Sequence, residues 1–183
     1  MGKKTITIEV PEGKSAQWLN GVLTLVDDTP KDIRERVKTL EDAINLLGEA
    51  HPLVEEYEAL ISELGDSISP DIKAYNELRI IVAALNEGWT PSFDGIEWRW
   101  YPWYKLVSDS DIADMSEEGK SRVVRRSGND ADADGGVVYA VASYDASYVS
   151  AHLGARLALK SENLAIYAGT QFKEYYARFI FAE

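Results

Sequence analysis

Three successive amphipathic stretches between residues 29 and 88 constrain the fold of this chain more than any other feature of its sequence. Each stretch begins with a proline at or beside a capping position and ends at a glycine, the usual order of helix start and stop signals. The predicted helices begin at Thr29-Pro30, Pro52 and Ser69-Pro70 and end at Gly48, Gly65 and Gly88. Because the links between them are short, we expect neighbouring helices to pack antiparallel.

Apolar residues recur at steps of three and four along these stretches, which predicts one inward face on each helix. The first face comprises Ile33, Val37, Leu40, Ile44 and Leu47, and the third comprises Ile72, Tyr75, Leu78, Ile81, Val82 and Leu85. A last helix is predicted after Ser161, with Leu164, Ala168, Phe172, Tyr175 and Phe179 facing inward. Leu40, Leu60, Ile81 and Phe172 are expected to be buried together in one core.

Strand signals lie on both sides of the three helices. Residues 4–10 alternate apolar and polar side chains, residues 11–14 form a turn, and Asn20-Gly21 is a strong hairpin dipeptide before a return strand at 22–26. In the second half, residues 89–107 are predicted to be a strand or an aromatic loop and 109–115 one helical turn, while 121–126, 137–144 and 148–159 are predicted to be extended. The sequence thus predicts an α+β fold: an N-terminal β-hairpin, a three-helix antiparallel segment, then an antiparallel β-rich segment with a C-terminal helix.

No clear linker and no internal repeat interrupts the chain, so one domain over residues 1–183 is predicted. The alternative is a division into 1–88, the hairpin with helices, and 89–183, the β-rich part with the last helix. The absence of cysteine excludes disulfide bonds and thiolate metal sites. No apolar run has the length of a signal peptide or a membrane helix, so we expect no membrane contact and a cytoplasmic or virion-associated location.

The net charge of −12 disfavours nucleic-acid binding, because phosphate neutralisation needs a basic stripe. The one basic cluster is small and comprises Arg122, Arg125 and Arg126.

Asp130, Asp132 and Asp134 with Gly135 match the opening of a calcium-binding loop. The position where an EF-hand has its bidentate glutamate holds Val141, and flanking helices are not predicted. A solvated acidic turn is therefore favoured, a calcium loop of another kind remains the alternative, and no metal or cofactor is predicted.

The chain has two histidines, and neither is predicted to be catalytic. His51 lies beside Pro52 at a helix start, where a capping role is favoured. His152 lies in a predicted strand, and a Ser–His–Asp arrangement around it has no specific support. No carboxylate pair has a spacing that indicates acid–base work.

Aromatic residues are concentrated in 97–104. The platform candidates are Trp98, Trp100 and Trp103. Alternation places Trp98, Trp100 and Pro102 on one side of a strand and Trp103 on the other. Packing in the core and the sheet is the favoured explanation for this cluster, and a groove that stacks sugars or bases on one side is the alternative.

Segment 127–152 is the most unusual in composition, since it has no Lys, Arg, Glu, Leu or Ile. Tyrosines among small residues are typical of binding surfaces, where rigid rings act as anchors. The binding candidates are Tyr139, Tyr144, Tyr148, Asn129, Ser143 and His152. A tightly packed sheet, in which Ala and Ser permit close approach, is the favoured alternative explanation for the same composition.

Three stretches carry a resemblance. They are residues 75–91 (YNELRIIVAALNEGWTP), residues 98–103 (WRWYPW), and residues 154–157 (GARL) with 167–172 (YAGTQF). Together they resemble a set of uncharacterised proteins from gut Bacteroidales bacteria and their phages and prophages. The resemblance implies a phage or prophage setting and no activity, cofactor or catalytic residue. Segment 127–152 is also similar in composition to the variable segments of proteins diversified by phage retroelements.

The leading hypothesis is a non-enzymatic binding or structural accessory protein, phage- or prophage-associated, that contacts a protein or surface glycan through 127–152. One alternative is an acidic intracellular inhibitor or nucleic-acid mimic acting on a host protein. The other is an enzyme of unrecognised type, which would place His152 and a carboxylate in a deep pocket.

Overall fold

The structure is a computed structural model that describes residues 7–27, 31–126, 135–148 and 155–182. The chain divides into two compact units, Met1–Arg36 and Val37–Glu183. Helices and strands occur in both, and the α+β class predicted from the sequence is confirmed. The predicted single domain, and its alternative division after residue 88, stay predictions.

The first unit contains a β-hairpin of β1 (Lys14–Leu19) and β2 (Val22–Asp27), followed by the short helix α1 (Ile33–Arg36). Asn20 and Gly21 both have positive φ, as a two-residue hairpin turn of this kind requires. The predicted turn at 11–14 is confirmed by a hydrogen bond from Lys14 N to Pro11 O. The predicted strand at 4–10 is wrong where it is described: residues 7–10 are irregular, because β2 pairs with the residues next to the turn.

The first predicted helix is interrupted, which corrects the prediction of one helix up to residue 47. The helix α1 ends at Arg36 and α2 (Leu40–Leu47) begins after Thr39. The Thr39 hydroxyl accepts a hydrogen bond from Asp42 N, and the Asp42 carboxylate accepts from Thr39 N and Lys38 N. This capping box starts a new helix although the apolar spacing continues through it. Thr29 and Pro30 lie outside the described residues.

The next two predicted helices are confirmed as α3 (Pro52–Leu64), which a 3-10 turn follows, and α4 (Pro70–Asn86). Both α2 and α3 contact α4, which is buried around much of its circumference. Ile81 is fully buried as predicted, as is Phe172 near the C-terminus, whereas Leu40 and Leu60 are only half-buried. Ile72 is exposed, which contradicts its predicted inward position, because it lies in the first turn of α4.

A three-stranded antiparallel sheet follows, with β5 (Gly136–Asp145) between β3 (Arg99–Val107) and β4 (Val124–Arg125). Between β3 and β4 lie α5 (Asp109–Ala113), which confirms the predicted helical turn, and α6 (Glu117–Arg122). The prediction of a strand over 121–126 is therefore wrong in its first part. The Ser116 cap, acidic residues in the first turn of α6 and basic residues in its last turn favour helix there.

The predicted extended segment 148–159 is wrong where it is described. Residues 155–157 form a turn, and only Leu159 makes a β-bridge, to Trp100. The C-terminal prediction of one helix is also corrected. The helix α7 (Glu162–Gln171) is capped by Ser161 as predicted, but the chain turns at the buried Phe172 before α8 (Lys173–Phe181). Because of this turn, α7 packs on the sheet while α8 contacts both the sheet and α4.

Candidate functional site

Cross-strand pairing assigns the side chains of β3 and β5 to two faces of the sheet, since paired residues project to the same side. The helix face holds the pairs Trp100–Tyr144, Pro102–Ala142, Tyr104–Tyr139 and Leu106–Val137. The opposite face holds Arg99–Asp145, Tyr101–Ser143, Trp103–Val141 and Lys105–Val138. The helix face is identified by Val137, which packs with Ala177 of α8, and by Pro102 and Tyr139, which approach Gly169 of α7.

A register shift between Trp103 and Tyr104 leaves Ala140 of β5 without a partner. Such an extra residue reverses the alternation of side chains along the strand. Tyr139 and Tyr144 consequently share the helix face, although an odd and an even position face opposite sides of an unbroken strand.

Tyr139 lies within the packing between the sheet and α7. Its ring meets that of Tyr104 edge-on, with 6.1 Å between centroids, and burial raises the pKa of its hydroxyl. The Tyr104 hydroxyl donates to Gly169 O at 2.7 Å, and burial raises the pKa of this hydroxyl far above its ordinary value. The geometry at Tyr139 is therefore that of a half-buried packing residue.

Tyr144 is 48% exposed and stacks on Trp98, with 4.4 Å between ring centroids and 10° between planes. Trp100 approaches the same ring at 4.9 Å. Trp98 is itself exposed, so the three rings form an aromatic cluster open to solvent on one side. Of the three platform candidates, Trp98 and Trp100 lie together, while Trp103 lies on the opposite face beside Val141 and is 59% exposed.

Arg99 connects the two segments that flank this cluster. Its Nη2 donates to Tyr148 O at 2.6 Å and to Ala146 O at 3.0 Å, and its guanidinium lies 5.0 Å from the centre of the Phe93 ring. Arg99 is buried, and its Nε has no hydrogen-bond partner within the described parts of the chain. Tyr148 is strongly exposed. Sequence reasoning missed Arg99, because an arginine between two tryptophans on a strand carries no signal for burial.

A groove of about 400 Å³ runs along β3 and β5. Residues of both faces of the sheet line it. The face away from the helices contributes Tyr101, Trp103, Ser143 and Asp145, and the helix face contributes Pro102, Tyr104, Leu106, Val137 and Tyr144, with Ile180 of α8. The pKa of Tyr101 is raised, first by burial and also by the negative charge of Asp145, while the positive charge of Arg99 opposes the rise. The groove therefore combines aromatic rings with a hydroxyl and a carboxylate, and it brings three predicted site residues to one place: Trp103, Ser143 and Tyr144.

A second cavity, of about 470 Å³, lies between β4 and α8. Two arginines line it, and each already has a carboxylate partner. Arg125 donates to Asp109, and Arg178 donates at 3.0 Å to Glu77, a buried residue that also accepts from the Tyr57 hydroxyl at 2.9 Å. The pKa of Tyr57 is raised by burial and by the neighbouring charge of Glu77. This network serves to neutralise a buried carboxylate inside the helical layer.

The remaining predictions concern possible metal ligands, two binding candidates and the role of His51. Asn129, Asp130, Asp132, Asp134 and His152 lie outside the described residues. Among the described ones, no group of three histidine or carboxylate side chains could hold a metal ion. The capping role predicted for His51 is confirmed, since its Nδ1 accepts a hydrogen bond from Leu53 N at 3.3 Å.

Comparison with protein-family models, with curated proteins and with solved structures gave no match to this chain. No described helix has the length and apolar character needed to cross a bilayer. The geometry of the groove and of the aromatic cluster is therefore the basis for any functional assignment.

Proposed function

We propose that this protein is a non-enzymatic binding protein, and that its contact surface is the groove along β3 and β5 with the adjoining aromatic cluster. The observation that carries the proposal is the groove itself, which unites Trp103, Ser143 and Tyr144. Within 127–152, this assigns contact to the end of β5 and assigns packing to Tyr139. The phage or prophage setting enters this proposal from the sequence resemblance alone.

The kinds of residue in the groove support binding. Tyrosine and tryptophan supply most of the energy in many interfaces, because a large rigid ring buries area with little loss of conformational freedom. Trp103 and Tyr144 are both about half exposed, so their rings retain area that a partner can cover. Tyr144 is also held in place by its stack on Trp98, which limits the entropy lost when a partner binds.

The polar groups in the groove favour binding over hydrolysis. Of the described residues that line it, Asp145 is the one carboxylate, and none is a histidine. Glycoside hydrolysis typically uses two carboxylates, and acid–base catalysis in general needs a titratable group within reach of the reacting atoms. A single exposed carboxylate beside aromatic rings is better suited to orienting a bound partner.

The test is a quantitative pull-down from lysate and cell-surface fractions of a Bacteroidales host. The bait is the wild-type protein or one of the variants Trp103→Ala and Tyr144→Ala. Ile72→Ala is the matched control, because this exposed residue lies on α4, away from the sheet. The two groove variants should lose at least tenfold of the captured material, while the control should capture as much as wild type. All three should keep their stability within about 1 kcal/mol, since surface changes usually cost little.

Equal capture by wild type and both groove variants would contradict the proposal. So would a loss of capture that follows a loss of folding, as judged by circular dichroism and thermal unfolding. The comparison of variants, and not the recovery of material as such, decides the outcome.

A further inference from the structure

The one charged side chain among the described residues that line the groove is Asp145. It is exposed, and no hydrogen bond or ion pair to it occurs within the described residues. No ion pair joins it to Arg99, the arginine opposite it in the sheet, which is buried and donates to the carbonyl oxygens of Ala146 and Tyr148. The carboxylate is therefore available to a partner at this end of the groove.

The aromatic rings near Asp145 favour the same sign of charge in a ligand. The face of a tryptophan or tyrosine ring attracts cations, and this attraction grows when solvent is displaced. Tyr101 and Trp103 lie on the same face of the sheet as Asp145, while Tyr144 lines the groove from the helix face. The net charge of −12 adds a long-range attraction for cationic partners and repels polyanions.

The groove also has a direction. Lys105 lies on the same face beyond Trp103, so the negative charge is confined to the end at Asp145. The middle of the groove, at Trp103, offers apolar area and no charge. A complementary ligand therefore has a positive group at one end and an apolar group about four residues further along an extended chain.

We propose that the groove binds a basic peptide segment of a partner protein, with a lysine or arginine against Asp145 and a proline or aliphatic side chain on Trp103. This inference rests on the proposed function of the groove as the contact surface. An uncharged glycan would stack on the same rings, but it would leave the exposed carboxylate without a complementary charge. Arg99, the strand partner of Asp145, precedes Trp103 by four residues, which is about 13 Å along a strand. An extended peptide supplies a cation and an apolar side chain at this separation on one chain.

The test uses a displayed library of random 12-residue peptides selected on the full-length protein, with Trp103→Ala as counter-selection. Selected peptides should contain a lysine or arginine about four residues from a proline or aliphatic residue, the spacing between Asp145 and Trp103 along the strands. Asp145→Asn should weaken the selected peptides roughly fivefold, as expected for a partly exposed charge pair. Replacing the basic residue of the peptide by glutamate should weaken binding further.

The matched control for charge is Glu63→Gln, which removes one carboxylate from an exposed position on α3. Both substitutions change the net charge by the same amount. A larger loss of binding for Asp145→Asn therefore shows a direct contact at Asp145 and not a general charge effect. Binding measured by fluorescence anisotropy should fall with added sodium chloride for wild type and much less for Asp145→Asn. Thermal unfolding checks that all variants are folded.

Three results would overturn the inference. They are selected peptides without a basic residue, equal effects of Asp145→Asn and Glu63→Gln, and a library that yields no peptide dependent on Trp103. If the host pull-down nevertheless depends on Trp103 and Tyr144, and the captured material is a glycan, the proposed function stands and only the basic-peptide inference falls. If neither assay depends on the groove, both fall.

Discussion

Helix α7 comes unusually close to the sheet at Gly169, and this contact yields a quantitative prediction for Gly169→Ala. A Cβ atom at this position would lie 2.6 Å from Pro102 Cβ, 2.6 Å from Tyr139 Cδ2 and 2.7 Å from Tyr139 Cε2. Ordinary contacts begin near 3.4 Å, so the methyl group overlaps three atoms by about 0.8 Å. Neither neighbour is a flexible chain end, since Pro102 belongs to β3 and the Tyr139 ring packs against Tyr104.

Relief of this overlap requires α7 to move away from the sheet, which also stretches the hydrogen bond from the Tyr104 hydroxyl to Gly169 O. Overpacking costs about 1–3 kcal/mol, and an overlap with three atoms at once belongs in the upper part of that range, about 2–3 kcal/mol. Weakening the hydrogen bond costs up to about 1 kcal/mol more. Replacing a helical glycine by alanine stabilises the helix by about 1 kcal/mol, which opposes these costs. The free energy of unfolding should therefore fall by about 1–3 kcal/mol, with a decrease in Tm of roughly 3–10 °C.

Urea denaturation and thermal unfolding of wild type, Gly169→Ala and the neighbouring exposed control Thr170→Ala measure this difference. The control should stay within about 0.5 kcal/mol of wild type. In a Tyr139→Ala background the cost of Gly169→Ala should be smaller, because one of the two overlapping groups is gone. A Gly169→Ala variant as stable as wild type would refute the reasoning. The overlap would then be relieved by small movements that cost no more than alanine gains in helix propensity.

Two further predictions concern ionisable groups. Arg178→Met should lower the free energy of unfolding by about 1–3 kcal/mol, because the buried Glu77 carboxylate then keeps only the Tyr57 hydroxyl as a partner among the described residues. The loss is smaller than for a fully buried pair, since the Arg178 side chain is 38% exposed; a loss below about 0.5 kcal/mol in urea denaturation would contradict this. Burial raises the pKa values of Tyr104 and Tyr176, so both hydroxyls stay protonated in the folded protein at pH values where the unfolded chain ionises. Stability should therefore be complete below about pH 10 and fall as pH rises above it, and a Tm that stays constant from pH 8 to pH 11 would contradict this.

Local sequence signals predicted the structure correctly where the conformation depends on only a few neighbouring residues. The Asn20-Gly21 hairpin and the Pro52 and Ser161 helix starts are present where the sequence predicts them. At Thr39 two local signals competed, and the capping box overrode an apolar spacing that continues into the next helix. Phe172 fits the apolar stripe of one continuous helix, and its burial at the break between two differently packed helices depends on tertiary packing that spacing does not reveal.

The site was less predictable than the helices. The alternation of residues 98–103 correctly separates Trp98 and Trp100 from Trp103, because side-chain direction on a strand depends only on parity. Burial of Arg99 depends on residues 146–148, whose carbonyl oxygens surround its guanidinium from a distant part of the sequence. The register shift at Ala140 has no glycine or other local signal, so the common face of Tyr139 and Tyr144 could not be derived from spacing.

Because Ala140 is unpaired, substitutions that face solvent at one end of β5 need not affect the side chains that pack on the helices at the other end. Before it, Val137 and Tyr139 face the helices, and after it the residues that face away from them are 141, 143 and 145. Deletion of this one residue would turn one end of the strand over and exchange its two faces. With the residue kept, substitutions at 141, 143 and 145 alter the surface chemistry and leave the contacts of Val137 and Tyr139 intact. The strand thus offers three alternate positions at which the surface can change in sequence without disturbing the core.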